Sequence, residues 1–337
     1  MAIDAKHRIR RLLLLAAACF SASAAAEMDE GVLRVAVYEN FEPYSCTAES
    51  AEGLFGVDVE IAQALAKRLD RRAEVYTYVA DDTMDEDLEQ LDPPGLDAWG
   101  QPIERAVPHL LMHVPQDPRF AERNPEYRFT APYYFESMAV LYQREGMGSL
   151  PDQVDTAAPF RDARIGVELY TLSFTFATNG FSGQLRDNTR TYDKLSEAIG
   201  GLIAGEVEAV FAPRTELQSL LAKQGADASR FAMAEVVNLF RTDRVRSSWD
   251  VGMSLRSDNE ALATAVEEAV QAMRDDGTIQ AIFAKYGIPD VAPIGTMQGA
   301  DGETAGRVSK GRLMVMQPSD AATKLPVCPG GATAGLL

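Results

Sequence analysis

Apolar and polar positions follow two different periods along this chain, which predicts alternating strands and helices. The unbroken apolar run Leu33–Tyr38 predicts a buried strand, and Asp58–Leu69 repeats apolar residues at helical spacing, with Asp58 as the expected N-cap. A loop containing Phe41 and Tyr44 joins the two segments. Because open α/β sheets bind small ligands at the carboxyl ends of their strands, this aromatic loop is a candidate ligand contact.

The same alternation continues through the second half of the chain. Further strands are expected at 164–168 and 207–212, and Pro115 is expected to end a buried strand at 109–114. The long apolar passage Phe129–Tyr142 is suited to crossing between two parts of the molecule. Helical patterns recur near 173–178, 194–204, 215–223 and 259–275. This order favours an α/β fold with a mainly parallel sheet.

The N-terminal segment has the composition of a secretory signal peptide. Basic residues precede the apolar run Leu12–Phe20, and small residues follow it before Glu27. That run is too short to span a bilayer. We therefore expect cleavage after Ala24 or Ala26 and a periplasmic location, while Cys19 leaves open a lipid-anchored protein.

Composition and charge exclude several classes of function. Hydrophobic residues at 46% and charged residues at 24% are globular values, and the chain is long enough for two domains. A net charge of −18 argues against nucleic acid, which requires clustered Lys and Arg.

His109 and His113 lie four apart on a predicted strand, too far for easy chelation. We expect no metal, no cofactor and no catalytic residue.

Cys46 and Cys328 are the cysteines that remain after removal of the leader. In an oxidising compartment they can form one disulfide, which would hold the C-terminal tail beside the aromatic loop. Two separate thiols fit the sequence equally well.

Five segments in order resemble the bacterial extracellular solute-binding proteins of family 3. They are LRVAVYENFEPY at 33–44, GVDVEIAQALAKRL at 56–69, FTAPYY at 129–134, YDKLSEAIGGLIAGEVEAVFA at 192–212 and RDDGTIQAIFAKYGI at 274–288. The resemblance implies a type II periplasmic binding protein fold, in which two α/β lobes are joined by a hinge of two crossing segments. It also implies a monomer that holds a small molecule between the lobes for an ABC importer.

The resemblance sets the expected domain boundaries. A signal peptide would take residues 1–26, the first lobe 27–136 and 250–289, and the second lobe 137–249. Residues 290–337 gain Gly, Pro and Ala and lose periodicity, so we expect a loosely ordered C-terminal extension.

The resemblance also assigns ligand contacts. Arg123 stands nine positions before Pro132, where the family places an arginine that grips the ligand carboxylate. Phe41 and Tyr44 occupy the positions of aromatics that cover the ligand. Thr171 and Ser173 stand where a hydroxyl and helix N-terminal amides meet the same carboxylate. Further cleft candidates are Glu39, His113, Tyr170 and Arg214.

One position departs from the family pattern. Pro213 stands where amino-acid binders carry an Asp for the ligand ammonium, and Arg214 follows it. A cation beside the site disfavours an ammonium group. We therefore expect a small carboxylate or an amino-acid-like ligand rather than an ordinary α-amino acid.

Two other functions remain open from the sequence. The phrases TMDEDL at 83–88 and LLMHVPQDP at 110–118 are similar to binding-protein-like partners of periplasmic quinoprotein alcohol dehydrogenases. Such an accessory protein would bind the dehydrogenase rather than a permease. Some relatives on this fold are dehydratases, but no acid–base constellation in the sequence supports an enzyme.

Overall fold

The computed structural model describes residues 31–47, 53–80, 83–96, 99–169, 171–238, 246–288 and 292–293. The expected signal peptide and nearly all of the expected C-terminal extension lie outside these ranges. Among the described residues, no helix is both long enough and apolar enough to cross a membrane.

Thirteen strands are described, and most lie in one sheet. They are β1 Val32–Tyr38, β2 Cys46–Thr47, β3 Leu54–Phe55, β4 Arg72–Tyr78, β5 Leu110–Gln116, β6 Tyr127–Phe129, β7 Tyr134–Gln143, β8 Gln153–Val154, β9 Ile165–Glu168, β10 Thr189–Tyr192, β11 Ala209–Pro213, β12 Phe231–Val236 and β13 Ser248–Arg256. The sheet runs in the order β10-β9-β11-β7-β13-β5-β1-β4, with β12 also on β7 and β6 also on β13. The strands β2 and β3 form a separate pair.

Nine α-helices are described around this sheet. They are α1 Val57–Arg68, α2 Met84–Leu88, α3 Pro118–Arg123, α4 Arg144–Met147, α5 Leu172–Gly183, α6 Leu195–Ala204, α7 Arg214–Lys223, α8 Glu260–Asp275 and α9 Thr278–Lys285. The expected strands and helices are present, with ends shifted by a few residues. Strand β5 continues through Pro115, which pairs with Val251, so this proline does not end the strand as expected.

The two central strands, β7 and β13, carry the chain between two groups of core residues. Tyr134 to Ser137 of β7 pair with β13, and Met138 to Tyr142 pair with β11. Both pairings are antiparallel, whereas β1 with β5 and β9 with β10 and β11 are parallel. The expectation of a mainly parallel sheet is therefore correct only for the flanking strands.

Buried apolar residues form three clusters that follow this division. One cluster draws on residues 33–134 and 251–288, and the other two draw on 138–236. Trp249 packs against a cluster on each side. We call the first group the first lobe and the second group the second lobe, in keeping with the two-lobed fold.

The start of α1 differs from the expectation and affects the site. The N-cap is Gly56, and Asp58 lies in the first turn, buried. The aspartate is therefore a core residue, because its carboxylate faces β5 instead of the free amides of its own helix.

Candidate functional site

A cavity of about 40 Å³ lies where the two lobes meet. The first lobe contributes Phe41 from the aromatic loop and His113 from β5. The second lobe contributes the N-terminus of α5 and the ends of β9 and β11. A carboxylate stands at three points of the wall: Glu136 of β7, Glu168 of β9 and Glu216 of α7.

His113 reaches the cavity because β5 is irregular at this residue. Its φ is 62°, in the left-handed region, and the register between β5 and β13 shifts between Gly252 and Ser254. The backbone amide of His113 donates to the Tyr133 hydroxyl at 3.2 Å. A bulge of this kind re-aims a side chain, which here turns the imidazole towards the lobe junction.

A buried hydrogen-bond network holds the imidazole from both sides. Nδ1 of His113 lies 3.1 Å from Oδ2 of Asp58, and the Tyr133 hydroxyl donates to Oδ1 of the same carboxylate at 2.7 Å. Nε2 lies 3.1 Å from the Tyr134 hydroxyl. The carboxylate can only accept, so Nδ1 donates to it and the ring orientation is fixed. The ring also meets Phe41 edge-on at 4.6 Å between centroids.

Glu136 connects the aromatic loop to the second lobe. The Tyr44 hydroxyl donates to its Oε2 at 3.0 Å, and the backbone amide of Ser137 donates to Oε1 at 2.8 Å. The Thr215 hydroxyl contacts both Tyr44 and Glu136. Burial raises the pKa of Glu136, while the Thr215 hydrogen bond and the Arg214 charge act in the opposite direction.

Glu216 has a different environment from Glu136. It is 5% exposed and lines the cavity, and no group among the described residues donates a hydrogen bond to its carboxylate. Burial raises the pKa of Glu216 well above its ordinary value, and the carboxylates of Glu136, Glu168 and Glu42 raise it further.

The structure brings several of the expected contacts together. Phe41, His113, Thr171 and Ser173 all line the cavity, and Tyr44 lies buried beside them. The Thr171 hydroxyl caps α5, because it accepts from the Phe174 amide at 3.3 Å and donates to the Glu168 carbonyl at 2.8 Å. Ser173 is therefore the hydroxyl that a ligand can use.

Other expected contacts lie elsewhere. Arg123 ends α3, its side chain is 66% exposed, and its guanidinium lies 3.7 Å from Asp85. The short helix α3, capped by Asp117, places it at the surface instead of in the cavity. Glu39 is exposed as well. The Arg214 guanidinium lies over the Phe135 ring, 6.0 Å from its centroid.

Two predictions concern residues that lie partly or wholly outside the described ranges. Tyr170 is not among them, so its place in the cleft stays a prediction. Cys46 is disulfide-bonded, but Cys328 lies outside the described ranges. The pairing of Cys46 with Cys328 therefore remains a prediction.

The three glutamates of the cavity are not among the residues expected from the sequence. Glu136 is the detectable one, because it is the only charged residue in the mostly apolar run Tyr133–Tyr142. A charge inside a buried strand signals a paired or functional group. Glu168 and Glu216 stand at the end of a strand and the start of a helix, where a solvated carboxylate is common.

Comparison with known proteins places the chain in a family. The model of the bacterial extracellular solute-binding proteins, family 3, matches residues 119–289. The L-cystine-binding protein TcyJ of Escherichia coli (strain K12) is 26% identical over 263 residues, which are 78% of this chain and 85% of that protein. The ABC transporter arginine-binding protein 1 of the same strain is 26% identical over 273 residues, 81% of this chain and 96% of that protein.

Solved structures agree on the fold. An ancestral cationic amino acid solute-binding protein (AncCDT-1) superposes with a TM-score of 0.56 at 18% identity, over 77% of this chain and 97% of that one. An L-arginine-bound substrate-binding protein of an amino acid ABC transporter from Streptococcus pneumoniae superposes with a TM-score of 0.50 at 20% identity. The match covers 78% of this chain and 96% of that one. The matched family model covers half of the sequence, and the chain belongs to the bacterial extracellular solute-binding proteins of family 3.

Proposed function

We propose that this chain is a periplasmic solute-binding protein that captures a small, amino-acid-like molecule between its two lobes for an ABC importer. The observation that carries the proposal is the cavity, whose wall comes from both lobes and combines aromatic, hydroxyl and carboxylate groups. The cystine- and arginine-binding relatives support the same class of ligand. In this proposal the lobes comprise 27–136 with 250–289, and 137–249.

The carboxylate end of an amino-acid-like ligand has candidate partners in this wall. Ser173 and the first amides of α5 offer hydrogen-bond donors and the positive end of a helix to a carboxylate. This role takes the place that the sequence assigned to Arg123. Phe41 supplies an apolar face over the same space.

Entry of such a ligand requires the lobes to move apart. The cavity of about 40 Å³ is far below the roughly 300–1,000 Å³ of ordinary small-molecule sites. The Tyr44 hydroxyl bonds to the Thr215 hydroxyl across the junction, and Glu42 of the same loop pairs with Lys223 of α7. A ligand must compete with these contacts, so its net affinity is the difference between its own contacts and theirs.

Thermal unfolding of the mature protein against amino acids, dicarboxylates and short organic acids tests capture. A bound ligand at a hundred times its dissociation constant stabilises the fold by about 2.7 kcal/mol. Ser173→Ala is expected to weaken binding by about tenfold, since one hydrogen bond to a carboxylate is lost. Ser257→Ala, at an exposed position, is the matched control and should bind like wild type. A flat response to every ligand would contradict capture.

A second candidate function, the accessory role beside a quinoprotein dehydrogenase, is favoured by one surface feature. Leu96, Trp99 and Ile103 are 66%, 85% and 44% exposed within one acidic segment of the first lobe. Large apolar side chains grouped on a surface mark a site of protein contact.

Immobilised mature protein probed with the purified quinoprotein alcohol dehydrogenase tests this second candidate. Trp99→Ser is expected to reduce the association at least tenfold, because an exposed tryptophan is a common binding hot spot. Glu104→Ala, in the same exposed segment, should leave it unchanged. Absence of any association at micromolar dehydrogenase would exclude the accessory role.

A further inference from the structure

The charge inside the cavity has one sign. Three carboxylates line it, and among the described lining residues there is neither a lysine nor an arginine. Two positive groups lie close by but do not line it: Arg214 lies over Phe135 and its charge acts on Glu136, and Lys223 pairs with Glu42. The His113 imidazole is bonded to Asp58.

The carboxylates differ in how completely the protein satisfies them. Glu136 accepts from a tyrosine, a threonine and two backbone amides. Glu216 is equally buried, faces the same space, and has no hydrogen-bond donor among the described residues. A buried carboxylate without donors is unfavourable unless something else supplies them. Glu216 is therefore the group that a ligand can satisfy.

We propose that Glu216 binds the cationic group of the captured ligand, an ammonium or a guanidinium. The inference rests on the proposed function and deepens it by naming the ligand class and the residue that selects it. Both groups supply several N–H donors to a carboxylate, which makes the pair strong in a dry site. Glu136 and Glu168 add to the negative potential around that cation.

The position of Glu216 explains why the sequence expectation pointed the other way. Pro213 lines the cavity at the end of β11 but offers no acceptor, and Glu216 follows it in the first turn of α7. The acceptor missing at position 213 is thus supplied three residues later from the same wall. Arg214 is not among the described lining residues; its guanidinium lies over Phe135 and its charge acts on Glu136 rather than on Glu216.

Proton release accompanies this binding mode. Burial raises the pKa of Glu216, with Glu136, Glu168 and Glu42 as the carboxylates that raise it further. Arg214, Tyr44 and His113 are the other ionisable groups around this junction. A cation favours the ionised carboxylate, so the proton leaves when the ligand binds. Affinity therefore rises with pH, by up to about tenfold per unit while Glu216 is protonated in the free protein.

Titration calorimetry with matched probes tests the proposal. The cationic probes are L-arginine, L-lysine, agmatine and putrescine, and the probes without any cationic group are succinate and glutarate. At least one cationic probe is expected to bind wild type, more tightly at pH 8 than at pH 6. Glu216→Gln should weaken that binding at least about 30-fold and remove its pH dependence.

Two controls separate binding from folding. Glu206→Gln, an exposed glutamate 3.4 Å from Arg190, should bind every probe like wild type. The ligand-free Glu216→Gln protein should unfold at a temperature equal to or above that of wild type, because the change removes an unsatisfied buried acid. A variant that loses both stability and binding would assign Glu216 a structural role and overturn the proposal.

Two further outcomes would contradict the cation site or capture itself. If only probes without a cationic group bind, or if Glu216→Gln binds the cationic probes within twofold of wild type, the cation site is overturned while capture stands. If no probe and no ligand of the thermal panel binds, capture fails as well.

Discussion

Replacing Gly56 with alanine is expected to destabilise the fold by more than about 4 kcal/mol and to displace the aromatic loop. Gly56 has a φ of 134°, and an added Cβ would lie 2.1 Å from the Tyr44 carbonyl oxygen and 2.7 Å from the Ser45 nitrogen. These are backbone atoms, which cannot rotate away as a side chain would. The Gly56 amide also donates to the Tyr286 hydroxyl at 2.9 Å, which fixes the turn from behind.

Urea unfolding of the Gly56→Ala variant measures the loss in unfolding free energy. Gly200→Ala, the same substitution at another position, is the control. Gly200 lies inside α6, and nothing stands within 4 Å of its added Cβ, so alanine there should stabilise by about 0.5–1 kcal/mol. The change in unfolding free energy is therefore expected to have opposite signs in the two variants. If Gly56→Ala unfolds within 1 kcal/mol of wild type, the loop does not pass over α1 as described.

Asp58→Ala is expected to cost about 3 kcal/mol of unfolding free energy and to loosen the cavity wall. The Tyr133 hydroxyl and Nδ1 of His113 would both lose their acceptor in a buried place. An unsatisfied buried donor costs about 1–3 kcal/mol, and this variant leaves two. His113 would then lose the bond that fixes its ring beside Phe41.

The same denaturation experiment with Gln63→Ala supplies the comparison for Asp58→Ala. Gln63 is exposed on the same helix, so its replacement should change stability by less than about 0.5 kcal/mol. Tyr133→Phe removes one donor to Asp58 and the acceptor of the His113 amide, so it should cost about 1–3 kcal/mol. Equal losses for Asp58→Ala and Gln63→Ala would show that the network does not hold the fold.

In the proposed function, the aromatic loop serves both folding and capture. Its backbone packs against Gly56, its Tyr44 hydroxyl contacts Thr215 of the second lobe, and Phe41 faces the cavity. A ligand that binds between the lobes meets a wall already held in place by buried hydrogen bonds. Such preorganisation reduces the conformational entropy that is lost when the ligand binds.

Local patterning predicted most of the elements. The apolar run of β1, the helical spacing of α1 and α8 and the apolar passage of β7 are all present, because burial imposes its period on neighbouring residues. The two lobes follow from the resemblance of five segments in order. The directions of β7 and β13 did not follow, since strand pairing depends on partners over a hundred residues apart.

The candidate site was likewise predicted only in part from the sequence. The sequence alone determined the aromatic loop, the hydroxyls at the start of α5 and the membership of a solute-binding family, because these reside in contiguous segments. Tertiary structure decided that Arg123 lies at the surface and that Glu136, Glu168 and Glu216 converge on one cavity. A carboxylate has the same formula in a solvated helix turn and in a buried wall, and only the packing of distant elements removes its water and sets its charge.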